Sequence, residues 1–544
     1  MERPVLRRDA EGRIVPRTDL RLVPVAAMVW LGTLAGLEVA AVWLLTLAAV
    51  LGAGVAVLLF SFNASTSPGS TIRRHNRLQR LPYQALSARV SGRALVALAV
   101  LMGAVALGVS ASNKILAAPI AVSQDSGGAS GIVATLQIDA PPKALASFGQ
   151  GDAQQWKVAA TIVGVNDSQV QTPCRMTVVL TGSGAWSDVV PGQKVRAAGA
   201  LLPPQNLFGA PRLQARANPR ILSEPPWYHA VAQNLRAAFL TQAKARSPDR
   251  GALVPGLVIG NTSMTPEELT AAMKTTGTTH LTAVSGANCS LILGAILLGA
   301  RSLKLRRRMA SMVAGLGLLG FVFVVGPDPS VLRAAVMGAI GLVSLLAGRR
   351  GQSLGFVCLA VVGLLLTTPT LAADFGFILS VLATLGIVLC GSVLAKWLER
   401  YVPTWCAAAM GITVGAQLFC APVLILLQPQ VTTYSLPANL VAGLLVAPVT
   451  FLGTAALALC TLVPEISGIL LVPTGWCAQG IAAVATFFAH LPGAALPWPE
   501  GGFGLATMAA LSALWYLALW CAFHPVQCGK AVELVHRKIV EVGL

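Results

Sequence analysis

The stretch Thr276–Leu293, TGTTHLTAVSGANCSLIL, sets a His, a Ser, two Gly and an Asn at the mouth of an apolar run. A hydroxyl with an imidazole close by is the raw material of a nucleophile and its base, here Ser285 and His280. Only five residues separate them, and no GxSxG elbow surrounds Ser285. The second chemistry is passage. A helix that only anchors a protein has no use for HLTAVSGAN, because Gly weakens a helix and each buried polar group needs a partner. Irregular polar backbone at membrane depth is tolerated where it packs in protein or lines a water-filled cavity. The segment therefore points to a transport pathway.

Other polar residues sit in apolar surroundings. Gln417 and Asn439 lie well inside apolar runs, Arg333 and Asp374 near the outer ends of theirs, and His490 just after one. An intramembrane polar group is a functional-site hypothesis by default, and interhelical hydrogen bonding is the plainer role. The plainer role is favoured for Gln417 and evenly balanced for Asn439. Pro422, Pro437 and Pro448 interrupt the runs that carry them, as in helices bordering a pathway or as tolerated kinks. No residue is assigned a catalytic role and no cofactor is implied. The ten cysteines form no CxxC pattern, and nine lie in or beside apolar runs, with Cys174 apart. No metal site is expected.

The elements that must position these residues are membrane spans. The chain of 544 residues is 55% hydrophobic and 11% charged, with mean hydropathy +0.71. A soluble chain carries about 25% charged residues. This composition excludes an ordinary soluble protein and predicts a polytopic α-helical membrane protein of about 12 spans. Three spans are expected in residues 1–112, near 22–37, 39–61 and 94–112. Nine more are expected in 281–523, near 281–300, 309–325, 331–347, 353–369, 375–395, 405–428, 434–460, 468–489 and 503–523. A tail follows at 524–544. The net charge of +18 is concentrated in loops such as RSLKLRRR (301–308) and Arg349–Arg350. The positive-inside bias then puts both termini in the cytoplasm. Trp397, Trp405, Trp498 and Trp520 fall near expected span ends, as interfacial anchors do.

Residues 113–222 read as a small extracytoplasmic β-barrel or sandwich inserted after the third span. Strand-like runs at Gly131–Ile138, Trp156–Val165, Cys174–Leu180 and Lys194–Ala200 alternate with APPK, VNDS, GSG and VPGQ turns. Residues 223–280 read as an amphipathic helical connector, with Trp227, Val231, Leu235, Phe239 and Ala243 at near-helical spacing. It is expected to lie on the membrane surface or to pack on the barrel. Across 113–252 thirteen basic residues face seven acidic ones, a net of +6 on the outer side. Lys157, Arg175, Lys194 and Arg196 are the candidate contacts of this outer domain to nucleic acid. A surface lying beside anionic headgroups is the alternative. Stacking platforms are few: Trp156, Trp186, Phe148 and Phe208.

Residues 252–288, ALVPGLVIGNTSMTPEELTAAMKTTGTTHLTAVSGAN, resemble the ComEC family of bacterial competence proteins, inner-membrane DNA-uptake channels. The family's His-Leu-x-Ala-Val-Ser-Gly is matched by His280, Leu281, Ala283, Val284, Ser285 and Gly286. Asn288 stands where many relatives have His. Pro329, Ser330, Arg333 and Ala334 match its Pro-Ser-x-x-Arg-Ala motif. DFGFILSVLATLGI (374–387) matches Gly-Phe-x-Leu-Ser, and Gln417 with SLPANLVAGLLVAP (435–448) matches a later motif.

The resemblance implies an OB-like outer barrel and a channel passing single-stranded DNA into the cytoplasm, not an enzyme. Its path would include His280, Ser285, Gly286, Asn288, Arg333, Asp374, Gln417 and Asn439. It also implies an extracytoplasmic DNA receptor and a separate nuclease, since the HxHxDH cluster of many relatives' C-terminal domain is not seen here. No GxxxxGK[ST] motif is present, so a cytosolic ATPase or helicase, strand capture or the proton gradient would drive transport. Membrane lipids are further partners, and a homo-oligomer is compatible with this. The alternatives are an intramembrane hydrolase using Ser285 and His280, and a small-molecule or lipid exporter. Reporter fusions at Ala210 and Arg306 should respond on opposite faces of the membrane; signals from one side would refute the twelve-span topology.

Overall fold

The computed structural model describes residues 22–38, 46, 98–112, 131–145, 154–167, 170–202, 211–246, 252–282, 284–326, 329–346 and 353–523. The second expected span, near 39–61, and the loops with Arg73–Arg93 and Arg349–Arg350 lie outside them, Thr46 excepted. The same holds for Phe148, Phe208 and the tail at 524–544.

Apolar runs become helices: α1 (Val23–Glu38) and α2 (Leu98–Ser112). After the barrel come α3 (Trp227–Arg246), α4 (Val254–Ile259), α5 (Glu267–Thr275) and α6 (Gly286–Ser302). Next are α7 (Arg307–Val325), α8 (Pro329–Leu346) and α9 (Ser353–Thr367). α10 (Phe375–Leu398) contains a π-helical segment at Ile387–Gly391. α11 (Thr404–Leu427), α12 (Ser435–Leu459), α13 (Pro464–Ala489) and α14 (Gly501–Phe523) complete the set. Six of these, α7 and α10 to α14, are long and apolar enough to cross a membrane, and five shorter apolar helices accompany them. The chain is thus a multi-pass membrane protein. The expected span at 281–300 begins later, at Gly286, because Val284 and Ser285 before it are not helical.

The described residues form two compact units. One holds the barrel, α1, α2, α9 and residues 299–316 and 332–374; the other holds residues 231–298, 317–331 and everything described from 375 on.

In the first unit, strands β1 (Gly131–Ile138), β3 (Gln155–Asp167), β4 (Val170–Ser183), β5 (Lys194–Leu202) and β6 (Arg212–Ala215) close a barrel in the order β1-β3-β4-β6-β5-β1. All neighbours are antiparallel except β4 and β6, which run parallel. The two-residue β2 (Lys143–Ala144) pairs with β3, and β7 (Arg220–Ser223) with β5. The period of two that marked the long strands puts Ala134, Leu136, Val158, Ala160, Ile162, Val178, Leu180, Val195 and Ala197 into one core. Trp186 plugs it, 1% exposed, with Nε1 donating to Ala217 O at 3.0 Å. Trp186 is therefore not a stacking platform as expected: its ring belongs to the core, and Gly182 is needed because a Cβ there would lie 2.7 Å from that ring's Nε1. The connector also differs. Ser223 ends a strand rather than opening a helix, since Pro225 and Pro226 break the chain before α3. Trp227 and Val231 of its expected apolar stripe are exposed, while Phe239 packs into the helical core with Leu235 against it.

In the second unit α10 and α11 cross backbone on backbone. A Cβ at Gly391 would lie 2.6 Å from Gly411 O, and one at Gly415 2.8 Å from Gly386 O. Lipid supplies no hydrophobic drive between helices, so close approach through small residues holds them. Gly391→Leu should leave little folded protein, whereas Gly363→Ala, which meets nothing within 4 Å, should be near neutral. Detergent-solubilised yield and thermal shift would check the contrast, expected at about 3 kcal/mol or more.

Candidate functional site

The segment 276–285 connects α5 to α6 in the second unit, and none of its described residues is α-helical. α5 ends because Gly277 adopts φ +67°. The Gly277 N–H donates to Lys274 O at 3.2 Å and the Thr278 N–H to Met273 O at 2.9 Å, a Schellman closure. The position also demands Gly sterically: a Cβ would lie 3.1 Å from Thr432 Oγ1 and 3.2 Å from Ser435 Oγ. Thr276 and Thr278, both buried, share a hydroxyl–hydroxyl bond of 3.0 Å. One 3-10 turn follows at Thr279–Leu281. It carries His280, exposed, with Nδ1 3.1 Å from Gly277 O. His280 was expected to open the fourth span; it sits on this turn instead, ahead of the helix.

Ser285 and Asn288 are brought together at the start of α6. The Ser285 hydroxyl donates to Asn288 Oδ1 at 3.4 Å. Asn288 is 3% exposed, and its Nδ2 donates to Leu257 O at 3.3 Å. Thr450 Oγ1 donates to the same Oδ1 at 3.4 Å. α4 explains the demand: all six of its residues are buried, and the Leu257 carbonyl near its C-terminal end lacks a helical partner. Asn288 supplies one. Ser330 Oγ donates to Val284 O at 3.0 Å, so the Pro-Ser motif satisfies the unwound backbone of the first motif. Gly286 is the first residue of α6.

A second polar group joins α11 to α12. Ser435 Oγ donates to Gln417 Oε1 at 3.3 Å. Asn439 Nδ2 donates to Ser435 O at 2.8 Å and to Ser435 Oγ at 3.2 Å. Gln417 thus makes the interhelical bond favoured for it. Ser435 and Thr450 were not foreseen as partners, although SLPAN placed a hydroxyl one helical turn before Asn439.

Arg333 is the one charged side chain buried among the described residues, 6% exposed, with Nη1 3.2 Å from Met337 Sδ. Placed by the sequence near the outer end of its apolar run, its guanidinium is buried in the protein. Asp374 is half-buried, immediately before α10. Both fall in the first unit with the barrel.

On the barrel, the exposed Lys194 and the half-buried Arg196 alternate along β5 with the buried Val195 and Ala197. Arg196 stands directly opposite Arg220 of β7. Directly opposed residues of antiparallel strands share a face, and like charges there are destabilising. Lys157 is exposed on β3, opposite Lys143 of β2. Arg175 lies in β4.

Residues 257–523 match the family model described as Competence protein. Over 250 residues the chain is 29% identical to ComE operon protein 3 of Bacillus subtilis (strain 168), an alignment covering 46% of this chain and 30% of that protein. No solved structure matches.

Removing the Asn288 amide leaves Leu257 O and Thr450 buried without their partner. Asn288→Leu should lower stability by roughly 1–3 kcal/mol, while Ser290→Ala, at an exposed position two residues further on, should cost far less. Thermal unfolding in detergent measures both.

Proposed function

We propose that this chain, whose residues 257–523 match the family model described as Competence protein, acts as a ComEC-type protein and passes single-stranded DNA across the bacterial inner membrane during DNA uptake. The barrel, OB-like in its closed five-stranded path, faces outward and receives the strand. The polar, partly unwound region around 276–288 and Gln417–Asn439 forms part of the route through the second unit. Partners supply the duplex, remove the other strand and provide the driving force.

The observation that carries the nucleic-acid reading is the cationic face of β5 and β7, where Lys194, Arg196 and Arg220 are neighbours and Arg196 opposes Arg220. A fold has no reason of its own to set guanidinium against guanidinium, whereas a polyphosphate neutralises both. Transport rather than hydrolysis is supported by the bonding of the two residues a hydrolase would need. Ser285 engages Asn288 and His280 engages the Gly277 carbonyl.

The full chain in nanodiscs should bind a fluorescent single strand with affinity falling steeply as salt rises. Arg196→Gln with Arg220→Gln should flatten the log–log slope by about 0.7 for each phosphate left without its cation, while the protein stays folded. Cells carrying that pair should take up less labelled DNA. An unchanged slope and unchanged uptake would refute this role for the face.

A further inference from the structure

Within the second unit, α3, α6, α7 and α12 enclose an apolar groove of about 390 Å³, inside the roughly 300–1,000 Å³ span of small-ligand sites. Its walls include Leu235, Ile292, Ile296, Phe321, Val324 and Phe451. Small residues make the space: Gly320 on α7, and Ala455 and Ala458 on α12, while Gly317 admits the Ile296 side chain. Gly320 has nothing within 4 Å of where a Cβ would stand. From Gly317 to Val324 the groove follows α7 for about 10 Å. Two of the bordering helices, α7 and α12, are long and apolar enough to cross a membrane, so water gains nothing there while hydrocarbon does.

One end of the groove is charged. The Arg236 side chain follows the lining residue Leu235, and Nε donates to the carbonyl of Val324, itself a wall residue. Its Nη2 donates to Phe323 O at 3.4 Å. These contacts fix a half-buried guanidinium over the C-terminal end of α7, favourable for a cation. They also place positive charge where an apolar slot begins.

We propose that this groove is a phospholipid site: one acyl chain lies along α7 between α6 and α12, and an anionic headgroup phosphate meets Arg236. Apolar walls with a cation at one end match a lipid anion, an acyl chain joined to a negative headgroup.

The full chain, reconstituted in phosphatidylethanolamine–phosphatidylglycerol vesicles carrying a tail-diazirine phosphatidylglycerol, tests this. After irradiation, adducts mapped by mass spectrometry should concentrate on peptides holding Ile292–Ile296 and Phe451–Ala458. Gly320→Leu and Ala458→Phe each fill the groove from a different helix, and each should lower adduct yield there several-fold in protein that still elutes as a folded species. Arg236→Gln should reduce the preference for the anionic probe over its phosphatidylethanolamine counterpart by roughly fivefold, the factor carried by one surface cation. Adducts spread evenly over the membrane helices would overturn the site. So would yields unchanged in a folded groove-filling variant, chain-to-chain crosslinks in place of lipid adducts, or an unaltered headgroup preference in Arg236→Gln.

Discussion

A backbone amide or carbonyl in apolar surroundings can bond only to protein, and the helical unit is arranged around that constraint. Two interruptions create the need: the six-residue α4 and the non-helical run between α5 and α6. Their open groups are met by side chains from far along the chain. Asn288 takes Leu257 O, Thr450 braces Asn288, and Ser330 takes Val284 O. Asn288 and Ser330 therefore serve backbone carbonyls distant in sequence.

The same economy explains the glycines. Gly391 and Gly411 let two helix backbones touch, while Gly320 opens onto nothing. In the first case removal of the side chain lets van der Waals packing and close dipoles hold α10 to α11. In the second it leaves a groove that hydrocarbon can fill. Arg236 shows the complementary device: a cation bonded to the last carbonyls of α7, where the helix cannot satisfy them itself.

The barrel answers its own polar accounting by closure. With β1 bonded to β5, its five main strands leave no open edge in the ring, and the charged residues are driven to the outer face by the alternation of the strands. Lys194 and Arg196 gather with Arg220 because β7 continues the pairing along β5 beyond β6.

The sequence by itself determined the membrane class, the positions of the apolar helices described between 286 and 523, and the four long strands. Hydropathy over about 20 residues and a period of two are local properties, read without knowing what packs where. It also showed that residues 276–288 could not be a plain span. Only the tertiary structure decided the rest. Arg212–Ala215 and Arg220–Ser223 carry no alternation long enough to mark strands; they are strands because β4 and β5 offer them open hydrogen-bonding edges. His280 looked like the first residue of a span, but Gly277 turns the chain and Asn288, three residues into the helix, is claimed by Leu257. Trp186 is a core plug and Arg333 is buried, since burial depends on neighbours distant in sequence. Which buried polar group meets which carbonyl is a question of distance in space, and that is the part of the site that spacing along the chain does not carry.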